Sequence, residues 1–178
     1  SKHLHLGMGS LSLKHMENKL EILTNSAEQT QTIGVYIGEN AQEGDIFLLS
    51  GELGTGKTCL TQGIAAGLGV TGYVRSPTFV LMTQYQGRLV LHHMDLYRID
   101  DEFQAWDLGI EDQLTANDVC VIEWAERASS ILPEESLWID LKYGPNNDSR
   151  SLSFYGPSPR FDLIFNKLRE TLQVKGQG

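Results

Sequence analysis

The spacing of apolar residues changes several times along the chain, and each change predicts an element. In NSAEQTQTIGVYIGENAQ, residues 25 to 42, Ile33 and Ile37 fall four apart on one helical face, and Ser26 stands three residues before Gln29 in the arrangement of a capping box. A helix starting at Ser26 is predicted, after which Gly44-Asp45 turns the chain. IFLLS, residues 46 to 50, is apolar on both alternating faces, as expected of a strand covered by helices on either side. From Lys57 the period is helical again, with Leu60, Ile64 and Leu68 recurring every four residues and Gly69 as the stop.

Further along, VLMTQY and RLVLHHMD flank Gln86-Gly87 and predict a hairpin. IDDEFQAWDLGIEDQL predicts a solvated acidic helix with Phe103 and Trp106 turned inward, and VCVIEW, residues 119 to 124, predicts a second buried strand. LWIDLKY and RSLSFYG lie either side of GPNNDS and predict another antiparallel pair. Ser158-Pro159 then opens a final helix whose Phe161, Ile164, Leu168 and Leu172 share a face. No repeat, low-complexity tract or linker interrupts this series. The expected fold is a single α/β domain over residues 16 to 178, a mixed β-sheet flanked by helices.

Composition narrows the function. A chain of 178 residues, 40% of them hydrophobic, is long enough for one sizeable core. Its net charge of −9 argues against a surface that reads phosphate backbones directly, so any contact with RNA is expected to come through a partner. Cys59 and Cys120 are the only cysteines and have no CxxC spacing, so neither a zinc site nor a disulfide framework is encoded, which fits a reducing cytosol. Residues 1 to 15, SKHLHLGMGSLSLKH, continue no periodicity and are expected to be vector-derived sequence before Met16. No apolar run approaches the roughly 20 residues that cross a bilayer, and a soluble cytoplasmic protein is expected.

The glycine-rich run between the first buried strand and its helix carries the chemistry. Gly51, Gly56, Lys57 and Thr58 satisfy GxxxxGK[ST], and the strand before and helix after supply the context this pattern requires. Across Gly51, Glu52, Leu53, Gly54, Thr55 and Gly56 the backbone can curl with its N–H groups inward, and the helix N-terminus adds partial positive charge. Such a P-loop cradles phosphate. Lys57 is expected to reach the β and γ phosphates and Thr58 to occupy a coordination position on Mg²⁺, the bland alternative being a glycine-rich turn without a ligand. The metal also needs a carboxylate, and Asp95 and Glu123 each follow an apolar run where α/β ligands gather. Either acid alone could simply cap a turn, but the two together make at least one functional. SPTF, residues 76 to 79, offers hydroxyls to a γ-phosphate or a metal-bound water, or forms a plain turn. His92 and His93 read as packing or surface residues, Trp124 as a core plug, and Asp100 to Glu102 as a solvated helix start.

GELGTGKT, SPTF, HMDLYR (residues 93 to 98) and VIEWAE (residues 121 to 126) together resemble the TsaE family, the small bacterial P-loop ATPase of tRNA threonylcarbamoyladenosine biosynthesis. The resemblance runs from about Ser26 to the final helix, is loose beyond about Leu137, and adds a P-loop NTPase-like expectation to the fold. It implies a cytoplasmic protein that binds ATP with Mg²⁺, hydrolyses it slowly alone, and acts with TsaB and TsaD on a complex that modifies the adenosine beside the anticodon. Contact with tRNA is then only indirect. Carried over, Lys57, Asp95 and Glu123 are the catalytic residues, Thr58, Asp95 and Glu123 hold the metal, and Trp124 lies near the nucleotide. Ser76 to Phe79 resembles a switch-like loop, Thr30 and Arg150 correspond to positions near the base, and Glu52 stands where the family often has Asp. Two rivals remain open: a P-loop small-molecule kinase, although no arginine-rich lid is evident, and a module that binds nucleotide without turning it over.

Overall fold

Residues 17 to 76, 82 to 114 and 117 to 177 are described by a computed structural model, with side chains up to residue 172. IFLLS becomes β2 (Ile46–Ser50), at the middle of a sheet whose order is β1-β7-β6-β2-β5-β4-β3. It pairs in parallel with β5 (Val119–Glu123) on one side and β6 (Leu137–Tyr143) on the other. β4 (Leu91–Asp95) continues the parallel block beside β5. Antiparallel strands close both edges: β3 (Met82–Tyr85) beside β4, and β7 (Arg150–Pro157) with β1 (Glu17–Thr24) beyond β6. The mixed sheet expected from the sequence is present, with helices on both faces.

The alternation within β2 explains why it is apolar throughout. Phe47 and Leu49 face the core made with α1 (Ala27–Glu39), α2 (Lys57–Gly67) and α5 (Asp162–Gln177). Ile46 and Leu48 face a smaller core under α3 (Glu102–Asp107), α4 (Ile110–Gln113) and the 3₁₀ helix Ala125–Ile131. Burial of both faces leaves no position for a polar side chain until Ser50.

The α1 and α2 helices meet along a seam of four glycines. A Cβ on Gly38 would stand 2.1 Å from the Ile64 carbonyl oxygen, and one on Gly63 would stand 2.1 Å from that of Gln31. Gly34 and Gly67 are equally confined, against Leu60 and Val35. The backbones touch, and this close approach fixes α1 beside the helix that leaves the phosphate loop. Ser26 caps α1 as expected by accepting from the Gln29 N–H at 3.1 Å, while the Gln29 side chain accepts from Asn25 rather than from Ser26 itself.

Four expectations need correction. First, β1 is a strand the sequence did not announce, because ENKLEILT intersperses charges and lies on an edge with only part of one face buried. Second, the hairpin turn is longer than Gln86-Gly87: Tyr85 pairs with Leu91, so Arg88 to Val90 belong to the loop. Arg88 there donates to the carbonyls of Gly38 and Ala41 at 2.9 and 3.0 Å, tying the loop to the end of α1. Third, the acidic helix is two short helices broken at Gly109 (φ 73°), and Ala105 and Ile110 point inward while Phe103 and Trp106 point out. Fourth, Ser158-Pro159 is a cis peptide in a turn, and α5 starts at Asp162, which accepts a hydrogen bond from the Ser158 hydroxyl at 2.9 Å. Phe161, Ile164 and Leu168 are buried and Leu172 packs partly buried against them, as expected. Residues 1 to 16, Pro77 to Phe79 of SPTF, and Val80 and Leu81 of the expected hairpin lie outside the described residues. No helix among the described residues is long and apolar enough to cross a membrane.

Candidate functional site

Three strands of the parallel block end side by side. Leu49 of β2 lies opposite Glu123 of β5, which lies opposite Asp95 of β4. The two acids named from separate sequence stretches are therefore register neighbours at the carboxyl ends of adjacent strands, beside the loop that leaves β2. Binding sites of open α/β sheets form at such ends.

That loop runs from Gly51 to Gly56 with positive φ at Gly51, Gly54 and Gly56 (139°, 80° and 106°), values that L side chains rarely adopt. A Cβ on Gly51 would also meet the Leu141 carbonyl at 2.3 Å, so glycine is required there twice over. Thr55 is buried and turns its hydroxyl into the loop, donating to the Glu52 carbonyl at 2.8 Å. From outside, the Tyr143 hydroxyl donates to the Leu53 carbonyl, and Arg150 donates to that of Gly54 at 3.3 Å. The loop is thus braced by its own residues and by the β6–β7 end of the sheet.

Lys57 opens α2 with its ammonium inside the loop, donating to the carbonyls of Gly51 at 2.6 Å and Glu52 at 2.7 Å. Its Nζ stands 4.1 Å from the centre of the Trp124 ring. Burial pushes the Lys57 ammonium below the ordinary lysine range, opposed by Glu126 and then by Glu123, Asp95 and Asp140. Glu126 also accepts from the Gly51 N–H at 2.9 Å, a contact nothing in the sequence indicated.

Glu123 is the hub of the acid side. Its Oε1 accepts from the Thr58 hydroxyl at 2.9 Å, and the Thr58 and Ser76 hydroxyls lie 2.7 Å apart. Its Oε2 stands 2.5 Å from His93 Nε2 and 3.4 Å from the Thr61 hydroxyl. His93 is fully buried, and its Nδ1 has no hydrogen-bond partner among the described residues, which fits a ring whose proton is on Nε2 and directed at the carboxylate. The expectation that His93 merely packs is therefore corrected. A signal existed: His93 precedes Asp95 by two residues, so both project from the same face of β4. His92 points the other way and is held by Asp118 at 2.7 Å and Gln113 at 3.0 Å, a packing role as expected. Burial raises the Asp95 carboxyl, and its neighbour Glu123 adds to the rise, against a hydrogen bond from the Tyr97 N–H.

Trp124 packs partly buried against the smaller core rather than plugging it. It takes the left-handed conformation (φ 58°, ψ 37°) at the junction of β5 and the 3₁₀ helix, and its half-buried ring faces the loop. Tyr97 packs against that ring at 4.9 Å between centroids, and the Arg127 guanidinium lies 5.3 Å from it.

Leu53, Gly54, Gly56, Lys57, Thr58, Ser76, Asp95, Glu123 and Trp124 line one cavity of about 390 Å³ together with Cys59 and Tyr97. That volume lies within the roughly 300–1,000 Å³ typical of small-molecule sites. On the other side of Gly54 and Gly56 a second hollow of about 190 Å³ is lined by Ala27, Thr30, Cys59, Asp148 and Arg150, so Thr30 and Arg150 share one wall. The hydroxyls of Thr58 and Ser76 and the carboxylates of Asp95 and Glu123 are all hard oxygen donors, the set that suits Mg²⁺ and not a thiophilic metal. The glycine cradle with Lys57 within it suits a polyphosphate.

A family model described as "Threonylcarbamoyl adenosine biosynthesis protein TsaE" matches residues 24–152. The tRNA threonylcarbamoyladenosine biosynthesis protein TsaE of Treponema pallidum is 41% identical over 123 residues, covering 69% of this chain and 91% of that protein. Its namesake in Bacillus subtilis is 38% identical over 151 residues, 84% of this chain and 94% of the relative. A crystal structure of Bacillus subtilis YdiB superposes with a TM-score of 0.75 at 34% identity, covering 88% of this chain and 98% of the other. With the family model spanning every site motif and the fold matched over nearly the whole of a solved relative, the chain belongs to the TsaE family, whose role is in the biosynthesis of threonylcarbamoyladenosine in tRNA.

Proposed function

We propose that this chain is a Mg²⁺-dependent ATPase that works with the TsaB and TsaD proteins on the tRNA-modifying complex, slow alone and stimulated by them. The observation that supports this best is the joining of Thr58, Ser76 and Glu123 by hydrogen bonds at the mouth of the P-loop that holds Lys57. The loop amides and Lys57 would hold phosphate oxygens, and Thr30 and Arg150, which share the wall of the second hollow, would flank the base. Thr58, Asp95 and Glu123 would hold Mg²⁺, which when bound supplies charge neutralisation on the phosphates. His93 keeps Glu123 oriented by occupying Oε2, leaving Oε1 directed at Thr58 and Ser76. Trp124 and Tyr97 cover the ammonium side of the cavity and limit its access to water.

Phosphoryl transfer of this kind asks the protein for position and charge more than for covalent participation. Lys57 supplies the cation within the cradle. The residue that orients the attacking water is Asp95 or a hydroxyl of the Ser76 loop, and a further cation comes from the partner complex, which accounts for slow turnover by the chain alone.

The test is phosphate release from ATP without any acceptor, measured with and without TsaB and TsaD. The wild-type chain should release phosphate slowly and faster on mixing, and Lys57→Ala should lose at least about 100-fold, the scale of one charge-stabilising group. Release that requires a small-molecule acceptor would instead make it a kinase. Tight ATP binding with no release even in the presence of both partners would make it a binding module.

A further inference from the structure

On the α3 side of the sheet, two side chains that amphipathic spacing assigns to the interior are at the surface. Phe103 is 79% exposed and Trp106 53% exposed. With Glu102 and Ile131 they line an open groove of about 260 Å³. This is below the roughly 300–1,000 Å³ of a small-molecule site but ample for a bulky side chain from another protein. Leu108, 46% exposed, extends the apolar surface past the end of α3. Exposed aromatics grouped in this way mark interaction surfaces, and such residues dominate binding where a partner desolvates them.

The rim says what kind of partner fits. Glu102 lines the groove itself, Asp100, Asp101, Asp107, Glu111 and Asp112 lie close by in sequence, and no Lys or Arg occurs between Arg98 and Arg127. None of these six forms an ion pair among the described residues. Their side-chain hydrogen bonds are to neutral groups: Asp101 accepts from the Gln104 N–H and Glu102 from the Ser130 hydroxyl. An apolar centre in a predominantly negative field repels RNA phosphate, and it repels a second copy of a chain whose net charge is −9. It complements a protein surface that offers an apolar anchor ringed by Lys and Arg.

The face also connects to the phosphate loop. Arg127 donates to the Ile99 carbonyl at 3.2 Å, just before α3, while its guanidinium lies 5.4 Å from the Tyr97 ring and 5.3 Å from that of Trp124. Trp124 in turn covers Lys57. We infer that the α3 face is the docking surface for a protein partner presenting an apolar anchor within a basic surround. The inference rests on the function proposed above only in taking TsaB and TsaD as that partner.

The experiment is titration calorimetry of the full chain against the TsaB–TsaD complex, at low and high salt, for wild type, Phe103→Ala/Trp106→Ala and Asp107→Lys/Glu111→Lys. ATP binding and melting temperature are measured on each. Removing the rings should weaken partner binding at least about tenfold at both salt concentrations. Reversing the charges should weaken it strongly at low salt and less at high salt, because screening removes the lost attraction. ATP affinity and melting temperature should stay at wild-type values. Wild type and both variants binding alike would overturn this surface while leaving the partnership standing. Failure of the wild type itself to bind would overturn both. The inference also falls if the rings instead mediate self-association, if they mediate binding to tRNA alone, or if hydroxyl-radical footprinting of the isolated chain finds them already covered by the chain itself.

Discussion

The two faces of the sheet are built differently. Under α1, α2 and α5 the core is continuous, and the glycine seam brings two helix backbones into contact. Under α3, α4 and the 3₁₀ helix the cover is thin, broken at Gly109, and leaves large aromatic side chains in solvent. The phosphate loop hangs from the first of these. Its helix, α2, cannot shift without separating backbones that are in van der Waals contact, so the cradle is held rigidly. Among the described residues, the second face meets the same site through Tyr97, Trp124, Glu126 and Arg127. One half of the molecule fixes geometry, and the other is free to carry recognition.

The largest break in this comparison should come from the seam. Gly38→Val places a side chain where even a Cβ meets a backbone oxygen, and it should cost about 3 kcal/mol of stability, read from urea denaturation. A cost below about 1 kcal/mol would mean that the helices separate easily and that the rigid face is not rigid. Next in size, Glu123→Gln keeps the shape of the side chain but removes its charge; ATP turnover should fall about 100-fold with the melting temperature nearly unchanged. A Mg²⁺ titration of this variant that matches wild type would remove Glu123 from the metal site. Arg127→Met tests the link between the faces. Loss of its position over Trp124 should weaken ATP binding about two- to fivefold, the equivalent of one exposed cation–π contact, without unfolding the protein.

Much of this was legible in the sequence because it is local. The strand, loop and helix around Lys57 are signalled by residues within twenty positions, and glycines at 51 and 56 are demanded by the backbone they occupy. Asp95 and Glu123 were readable as strand ends. What could not be read is what depends on pairing between distant segments. The contact of His93 with Glu123 exists only once β4 and β5 are in register. Periodicity put Phe103 and Trp106 inside because it assumed one continuous helix. The break at Gly109 lets Ala105 and Ile110 cover the core, so the large rings are left outside. For Trp124, periodicity alone gives a core plug because it carries the strand one residue too far, past the point where the backbone turns left-handed, whereas the family resemblance sets it near the nucleotide.

The smallest predicted effect belongs to the rigid face. Asp45 is buried at the start of β2, where it accepts from the Gln42 N–H at 2.8 Å and lies 3.3 Å from Arg160. Burial pushes its carboxyl above the ordinary 3.8, against the Gln42 bond and the Arg160 charge. From 3.8 upward, until the raised group ionises, the folded chain binds the proton more tightly than the unfolded chain, so this group's contribution to stability falls as pH rises through that window. Urea midpoints of wild type minus those of Asp45→Asn should therefore decline from acid toward neutral pH. A difference that rises instead would mean that the Arg160 pairing outweighs burial.

Lys57 carries a last consequence. Its ammonium already has two carbonyl acceptors and an indole face, so any incoming phosphate oxygen competes with ligands the protein supplies itself. Association is then an exchange reaction in which the released carbonyls must find water or N–H donors. An affinity for phosphate would report the difference between two good solvation shells, not the full strength of either, and a lysine so well served keeps its loop folded when no phosphate is bound.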